Sequence, residues 1–428
     1  MKKKRAIRNY VLVSIFIAIV LVLSFVSFPV PGTNYDFLGL GNLHLGLELG
    51  GGVKNTYDLE VADWYDGTHE KAYIQTVNRV QELLDKHYPD GKVYLSGEDQ
   101  ITVEVPDTTI SDNLLVGFIE MKSTSGEEAE AMVTGQDIKK VEYQVSGTSH
   151  GVYIEFTDEG KEKFRELTKV VSSSDSQTMY IYMDKDYENP FSQTTVTEEN
   201  NYGYTFISGS SITDKKSGQI YAEKIISATL GVNMTSNIAH VEISGVFGEN
   251  TRLVITIVTI ALVVASFVVA FILFRELGLV SCLSVLFALM VSVIISALCD
   301  LQVNFSGWVG FLLGYVLNFA LHMYYLSVIK NEYARGKKFT VSFTSGYKRS
   351  LFNILDVLLI VTGSLALILI VPSNLIRSFS YNMLVTIPAT AFASMYLNKV
   401  LAVNYTAFNT KNNKRINFTR EVDVDEIK

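Results

Sequence analysis

The chain has 428 residues, 48% of them hydrophobic and 19% charged, with 36 Lys+Arg against 44 Asp+Glu. That mix excludes a disordered or collagen-like chain. Two cysteines, Cys282 and Cys299, cannot staple a domain, and six singly scattered histidines provide no metal-ligand cluster, so no metal or other cofactor is expected.

Hydrophobic residues are unevenly distributed. Long uncharged runs lie near the N-terminus and after residue 250, whereas residues 31–250 read as ordinary globular sequence. The pattern predicts a membrane protein with one large soluble domain. A basic segment, 1–10, holds Lys2, Lys3, Lys4, Arg5 and Arg8 and precedes the apolar run Val11 to Val30. That run is too long for a typical signal-peptide core, and Phe28-Pro29-Val30-Pro31 has no small-residue cleavage site, so residues 11–30 are expected to be a retained first span.

The soluble segment 31–250 carries 16 Lys+Arg and 36 Asp+Glu, a net charge of −20. Such a charge disfavours nucleic acid and anionic membrane as partners. Ile74–His87 sets Val77, Val80, Leu83 and Leu84 at helical spacing; Pro89-Asp90-Gly91 marks a turn; Val93–Leu95 and Ile101–Val105 alternate as strands. Val152–Phe156 reads as a strand leading to a helix capped by Thr157, with Phe164, Leu167 and Val170 as its apolar positions. Met179–Met183 reads as a further strand and Ser217–Thr229 as an amphipathic helix. Ser172–Gln177 and Ser192–Asn201 read as loops, and Gly126–Ala131 as a hinge between subdomains. The order predicts α+β layers, with a base over about 31–110 and 230–250 and a head over about 111–229.

Five more apolar segments follow at about Leu253–Phe274, Leu277–Cys299, Phe305–Ile329, Leu351–Val371 and Phe379–Leu397, within a bundle region 253–410. The loop 330–350 holds Lys330, Arg335, Lys337, Lys338, Lys348 and Arg349 against Glu332 alone. By the positive-inside rule this loop, both termini and a tail over 411–428 face the cytoplasm, and the large domain lies outside. Tyr324, Tyr325 and Tyr333 are expected in an interfacial aromatic belt, and Gly307, Gly310 and Gly314 at tight helix packing.

Just after the first span comes Leu45-Gly46-Leu47-Glu48-Leu49-Gly50-Gly51-Gly52. Its glycines permit backbone angles or close approach that a side chain forbids; a flexible juxtamembrane linker is the competing reading. With Ile101–Pro106, Val133-Thr134-Gly135-Gln136-Asp137, Phe156-Thr157-Asp158-Glu159-Gly160, Phe164, Thr168, Gly336, and Gly346 ten residues before Asp356, the segment resembles the SecD family. These are accessory subunits of the bacterial Sec protein-export machinery within the RND superfamily. The matches run in family order across most of the chain. The resemblance implies a six-helix transmembrane bundle, an RND-type half, with a large extracytoplasmic α+β domain between helices one and two.

The family pattern has Asp-x-Asn in spans four and five. The matching register places Ala320 at the span-four aspartate, His322 at the asparagine, and Asp356, Val357 and Leu358 in span five. Only one carboxylate survives, which puts proton coupling in question. Asp356 is costly inside a membrane and is a proton-relay candidate, with a snorkelling carboxylate near the interface as the bland reading. His322, a residue type whose unperturbed pKa lies near neutrality, and Asn318 one turn earlier complete a relay hypothesis; the alternative is a neutral histidine hydrogen-bonded between packed helices.

There is no phosphate loop, nucleophile elbow or His-Glu-x-x-His, and Gly41, Gly46 and Gly50–Gly52 form no nucleotide fingerprint, so no enzyme is expected. By resemblance, the chain assists export through the Sec translocon channel in the bacterial cytoplasmic membrane. Its outer domain would bind emerging unfolded polypeptide. Because the sequence ends at Lys428, soon after one six-span set, a separate SecF-like membrane subunit is expected as partner. The alternatives are an RND-type transporter of lipid or small amphiphile, and a coupling-dead translocon scaffold.

Overall fold

The computed structural model describes residues 3–26, 28–29, 36–37, 43–88, 90–106, 110, 114, 116–147, 149–208, 212–299, 301–337, 339–371, 373–409 and 417–418. The chain divides into two compact units, Gly52–Ile243 and the combination of Met1–Gly51 with Ser244–Lys428. Val30, Pro31, Gly41, Pro89, Lys338 and nearly all of the expected tail lie outside the described residues.

Helix α1 (Lys3–Leu23) starts among the basic residues and stops short of the expected end at Val30. The chain beyond it forms a two-residue ladder between β1 (Phe28–Pro29) and β2 (Asp36–Phe37), then the one-turn helix α2 (Leu47–Gly50).

The Gly52–Ile243 unit runs β3 (Gly52–Val61), α3 (His69–His87), β4 (Lys92–Leu95), β5 (Gln100–Val105), β6 (Ile119–Lys122), β7 (Ala131–Thr134), β8 (Ile138–Ser146) and β9 (Ser149–Phe156). It continues with α4 (Asp158–Ser172), β10 (Thr178–Met183), β11 (Ser192–Thr195), β12 (Tyr204–Ile207), α5 (Lys215–Ala228) and β13 (Val232–Ile243). Three antiparallel sheets result, ordered β13-β3-β5-β4, β11-β10-β6-β7 and β12-β9-β8. Strand β3 turns Val53, Tyr57 and Leu59 inward against Val80, Leu83 and Leu84 of α3, one core of the unit. The second core joins Met121, Val133, Ile154, Phe156 and Ile181 to Phe164 and Leu167 of α4 and Ile225 of α5. Thr157 caps α4 as expected, its hydroxyl accepting from Gly160 N at 3.0 Å.

Three expectations for this unit are corrected. Gly126–Ala131 is not a hinge between subdomains: it lies in the connection from β6 to β7, which pair antiparallel, and Gly126 takes a φ of +104° in that turn. Ser192–Asn201 is not wholly loop, because Ser192–Thr195 pairs with β10. Val170 is exposed, and α4 buries Val171 instead, since the inward stripe runs through 164, 167, 168 and 171.

The bundle consists of α6 (Thr251–Phe274), α7 (Glu276–Leu298), α8 (Phe305–Ala334), α9 (Phe339–Ile368), α10 (Asn374–Phe392), a π-helical turn Ala393–Leu397, and α11 (Asn398–Asn409), which continues the same rod. With α1, six helices among the described residues are long and apolar enough to cross a membrane, and the chain is a multi-pass membrane protein. Helix α9 begins well before the expected Leu351. No breaker separates its polar first turns from the apolar run, and Gly346 lets it approach α8, where a Cβ would stand 2.6 Å from Ile329 Cγ1. Gly310 and Gly314 bring α8 onto α10: added Cβ atoms would lie 2.5 Å from Phe379 O and 2.2 Å from Thr386 Oγ1. Tyr325 and Tyr333 do not form an interfacial belt. Both are buried, Tyr325 edge-on to Tyr347 and Tyr333 beside Phe418, on the side of α8 that packs into the bundle core.

Candidate functional site

The Leu45–Gly52 motif ends the first membrane-side segment, and its geometry is a clasp. Gly46 N donates to Val303 O at 2.9 Å and Val303 N to His44 O at 2.7 Å, forming a parallel bridge at Leu45. Leu49, 1% exposed, packs with Val303 and Phe311, and Leu45, Ile255, Phe305 and Trp308 close around them. The carboxylate of Glu48 accepts from Phe305 N at 3.3 Å, at the N-terminus of α8, where negative charge is favoured. Its own carbonyl accepts from Val246 N at 2.7 Å. Asn304 caps the same helix, accepting from Gly307 N at 2.9 Å. Gly50 is needed because a Cβ there would meet Leu45 Cβ at 3.0 Å, and Gly51 turns the chain with a φ of +73° into β3.

Asn318 and His322 lie one turn apart on the inner face of α8, and both are buried. Asn318 Nδ2 donates to Val285 O of α7 at 3.3 Å. His322 Nδ1 lies 2.8 Å from Asn318 O; since a carbonyl only accepts, Nδ1 carries the proton in that bond. Among the described residues neither His322 Nε2 nor Asn318 Oδ1 makes a hydrogen bond within bonding distance. Nearby, Ser281 of α7 donates to Asn398 Oδ1 at 2.7 Å, directly after the π-helical turn. The result is a small polar seam among α7, α8 and the sixth span, held by single hydrogen bonds.

Asp356 is not part of that seam. It is exposed on α9 among Phe352, Leu359 and Ile360, with no hydrogen bond or ion pair among the described residues. The structure therefore brings Asn318 and His322 together and keeps Asp356 apart from both. Ala320, where the family aspartate would stand, is exposed on α8 beside the outward Leu313 and Val316.

Sequence reasoning noted Glu332 only as the lone acid of a basic loop. It is buried at the end of α8 and forms ion pairs with Lys337, with Arg349 at 3.2 Å and with Arg335 at 3.6 Å, tying the start of α9 to the end of α8. Its isolation among six cations was the available signal. Among the described residues no group of three His, Cys, Asp or Glu is arranged to hold a metal.

No family model matches the sequence. The protein translocase subunit SecD of Dictyoglomus turgidum is 23% identical over 331 residues, covering 73% of this chain and 76% of that protein. Among solved structures, SecDF in a super-membrane-facing form aligns with a TM-score of 0.64 at 16% identity, over 96% of this chain and 58% of that one. SecDF from Thermus thermophilus, described as a translocon-associated membrane protein, aligns with a TM-score of 0.58 at 17% identity, over 96% of this chain and 59% of that one. This chain thus spans somewhat under three fifths of the SecDF chains. The clasp and the bundle around it belong to a fold shared with SecDF, and the chain is SecD-like, a divergent relative of that subunit.

Proposed function

We propose that the chain is a SecD-like accessory subunit of the Sec translocon that assists protein export across the bacterial cytoplasmic membrane, without enzymatic chemistry or a bound cofactor. The similarity to a SecD subunit over 331 residues carries this reading, and the fold in common with SecDF supports it. The basic residues before α1 and between α8 and α9 support cytoplasmic termini and an outer Gly52–Ile243 unit that receives emerging unfolded polypeptide.

A SecF-like second bundle is the proposed partner. The outward faces of α8 and α9 support it: Asp356 stands unpaired on an apolar face, where a lone carboxylate in hydrocarbon costs about 2.5–3.5 kcal/mol. A covering partner that supplied a hydrogen-bond donor would remove that cost. Among the described residues no carboxylate bonds His322, so Asp356 at this face is the group proposed for any dependence on the proton gradient.

Depletion of the protein followed by secretome analysis tests the role. Accumulated precursors of exported proteins are expected; normal export with altered lipid or drug content would replace the reading with transport. Collapsing the gradient separates coupling from scaffolding, since a scaffold's contribution persists. Copurification from mild detergent is expected to recover SecF-like and channel subunits.

A further inference from the structure

We infer that the outer face of the β12-β9-β8 sheet docks an extended polypeptide segment bearing apolar or aromatic side chains and no net negative charge. The inference rests on the export reading above and gives the received chain a specific surface. Strand registers define the face: Phe206 lies opposite Tyr153, and Tyr204 opposite Glu155, so these four share one side. Val152, Ile154 and Phe156 point to the other side, into the core beneath α4 and α5. Among the described residues no helix or sheet packs over the outer side.

That side carries a continuous aromatic ridge. Tyr202 is 75% exposed and Tyr204 43%. Ring centroids are 5.8 Å apart between Tyr202 and Tyr204 and 5.4 Å between Tyr204 and Tyr153. Phe206 extends the ridge over Gly151, where a Cβ would stand 2.4 Å from its ring. Cross-strand ring contacts add a little to sheet stability, but a ring as exposed as Tyr202 keeps most of its area free, and tyrosines present large rigid contact area at small entropic cost.

The ridge is held in place before any ligand arrives. Asn200 Oδ1 accepts from Tyr202 N at 2.9 Å, Asn200 Nδ2 donates to Tyr204 O at 3.1 Å, and Asn200 N donates to Thr168 Oγ1 at 3.0 Å. Gly203 supplies the positive φ, +75°, that lifts Tyr202 outward. Pre-ordered contacts of this kind reduce the entropy lost on binding. Strand β12 is an edge of its sheet, so an extended chain can align beside it.

Charge selects the occupant. The ions on this sheet cancel in pairs, Lys139 with Glu155 at 2.6 Å and Lys140 with Glu142 at 2.8 Å. The patch is locally neutral inside a segment of net charge −20. Acidic segments are repelled by that field, while neutral or basic ones are admitted.

The test uses the full chain purified in mild detergent and fluorescent peptides of equal length: neutral aromatic, basic aromatic, acidic aromatic and neutral Gly/Ser. Anisotropy is expected to rank the neutral and basic aromatic peptides above the other two. In the double variant Tyr202→Ser/Tyr204→Ser, affinity for the neutral aromatic peptide is expected to fall about tenfold, equivalent to about 1.4 kcal/mol. Both side chains are exposed and lose only ring contacts at the surface, so the thermal midpoint falls little. Unchanged affinity in the double variant, or preference for the acidic peptide, overturns the inference. A photocrosslinker at residue 202 in cells is expected to capture a stalled precursor; capture of a membrane subunit instead overturns it too. The export reading is scored separately by depletion. Precursor accumulation with an indifferent double variant removes only this surface, whereas normal export after depletion removes the reading beneath it.

Discussion

Replacing His322 by alanine separates a structural histidine from a proton carrier. The ring is 0% exposed and its Nδ1–H reaches Asn318 O at 2.8 Å. Removing it deletes one hydrogen bond, worth about 0.5–1.5 kcal/mol, and leaves a cavity where truncations of buried aromatic rings cost about 3–5 kcal/mol. Since imidazole is smaller than phenyl, a total near 3–4 kcal/mol is expected for His322→Ala. Asp356→Asn should change stability by less than about 0.5 kcal/mol, because Asp356 has no partner within the described chain. Thermal unfolding of the purified variants in detergent measures both, and pulse-labelled export with and without the proton gradient supplies the functional axis. The expected pattern is a lowered midpoint for His322→Ala, with export lost in proportion to folded protein. A His322→Ala variant with the wild-type midpoint, whose export defect vanished once the gradient was collapsed, would refute the structural assignment.

Two further predictions concern the packing of each unit. Gly314→Ala places a Cβ 2.2 Å from Thr386 Oγ1, so α8 and α10 must separate at a cost of about 1–3 kcal/mol; Thr386→Gly in the same chain should restore most of the lost thermal midpoint. Glu223 of α5 faces α3, with Lys86 paired to one carboxylate oxygen and His87 Nε2 3.1 Å from the other. Burial pushes its pKa up, but the hydrogen bonds from Lys86 and His87 outweigh burial and hold it below the usual carboxylate range. A depressed folded value means the contact stabilises above the unfolded glutamate value, about 4.3, and is lost as pH falls through the folded value. The protection of α5 amides, corrected for the pH dependence of intrinsic exchange, should therefore fall in acid as Glu223 is protonated in the wild type, and Glu223→Gln should show the lower protection already at neutral pH.

What was legible in the sequence depended on how local the determining forces are. Helices α3 and α4 carry their apolar repeats and caps within one segment, and both stand where those signals point. Strand β3 hides its alternation because Asn55 occupies an inward position. The amide bonds Tyr57 and also His240, which arrives from β13 at the far end of the unit. Strand β8 is similarly masked by Lys139, Lys140 and Glu142, charges that suit an exposed edge. In the bundle the same limit applies to direction: hydropathy locates α8 but does not say that Tyr325 points inward and Ala320 outward. Asp356 and His322 are both visible as intramembrane polar residues, yet whether they meet depends on the rotation of two helices, which a single sequence does not encode locally.

The glycine-rich motif after α1 illustrates how a composition that reads equally as linker or as close-packing device is decided by its neighbours. A flexible linker needs solvated backbone and little burial. Here Leu49 is buried, the backbone exchanges two hydrogen bonds with Val303, and the glycines sit where side chains would collide with Leu45 or require an unfavourable φ. Gly245, on the returning strand's side, is equally constrained, since a Cβ would stand 2.9 Å from Glu48 O and 2.6 Å from Thr251 Oγ1. Glu48 thus joins three segments: its carboxylate holds the start of α8, its carbonyl holds Val246, and its helix turn carries Leu49 into the core of the clasp. The outgoing chain at Gly52 and the incoming chain at Ile243 are paired neighbours in β3 and β13. Departure and return are therefore fixed to each other at the start and finish of the Gly52–Ile243 unit.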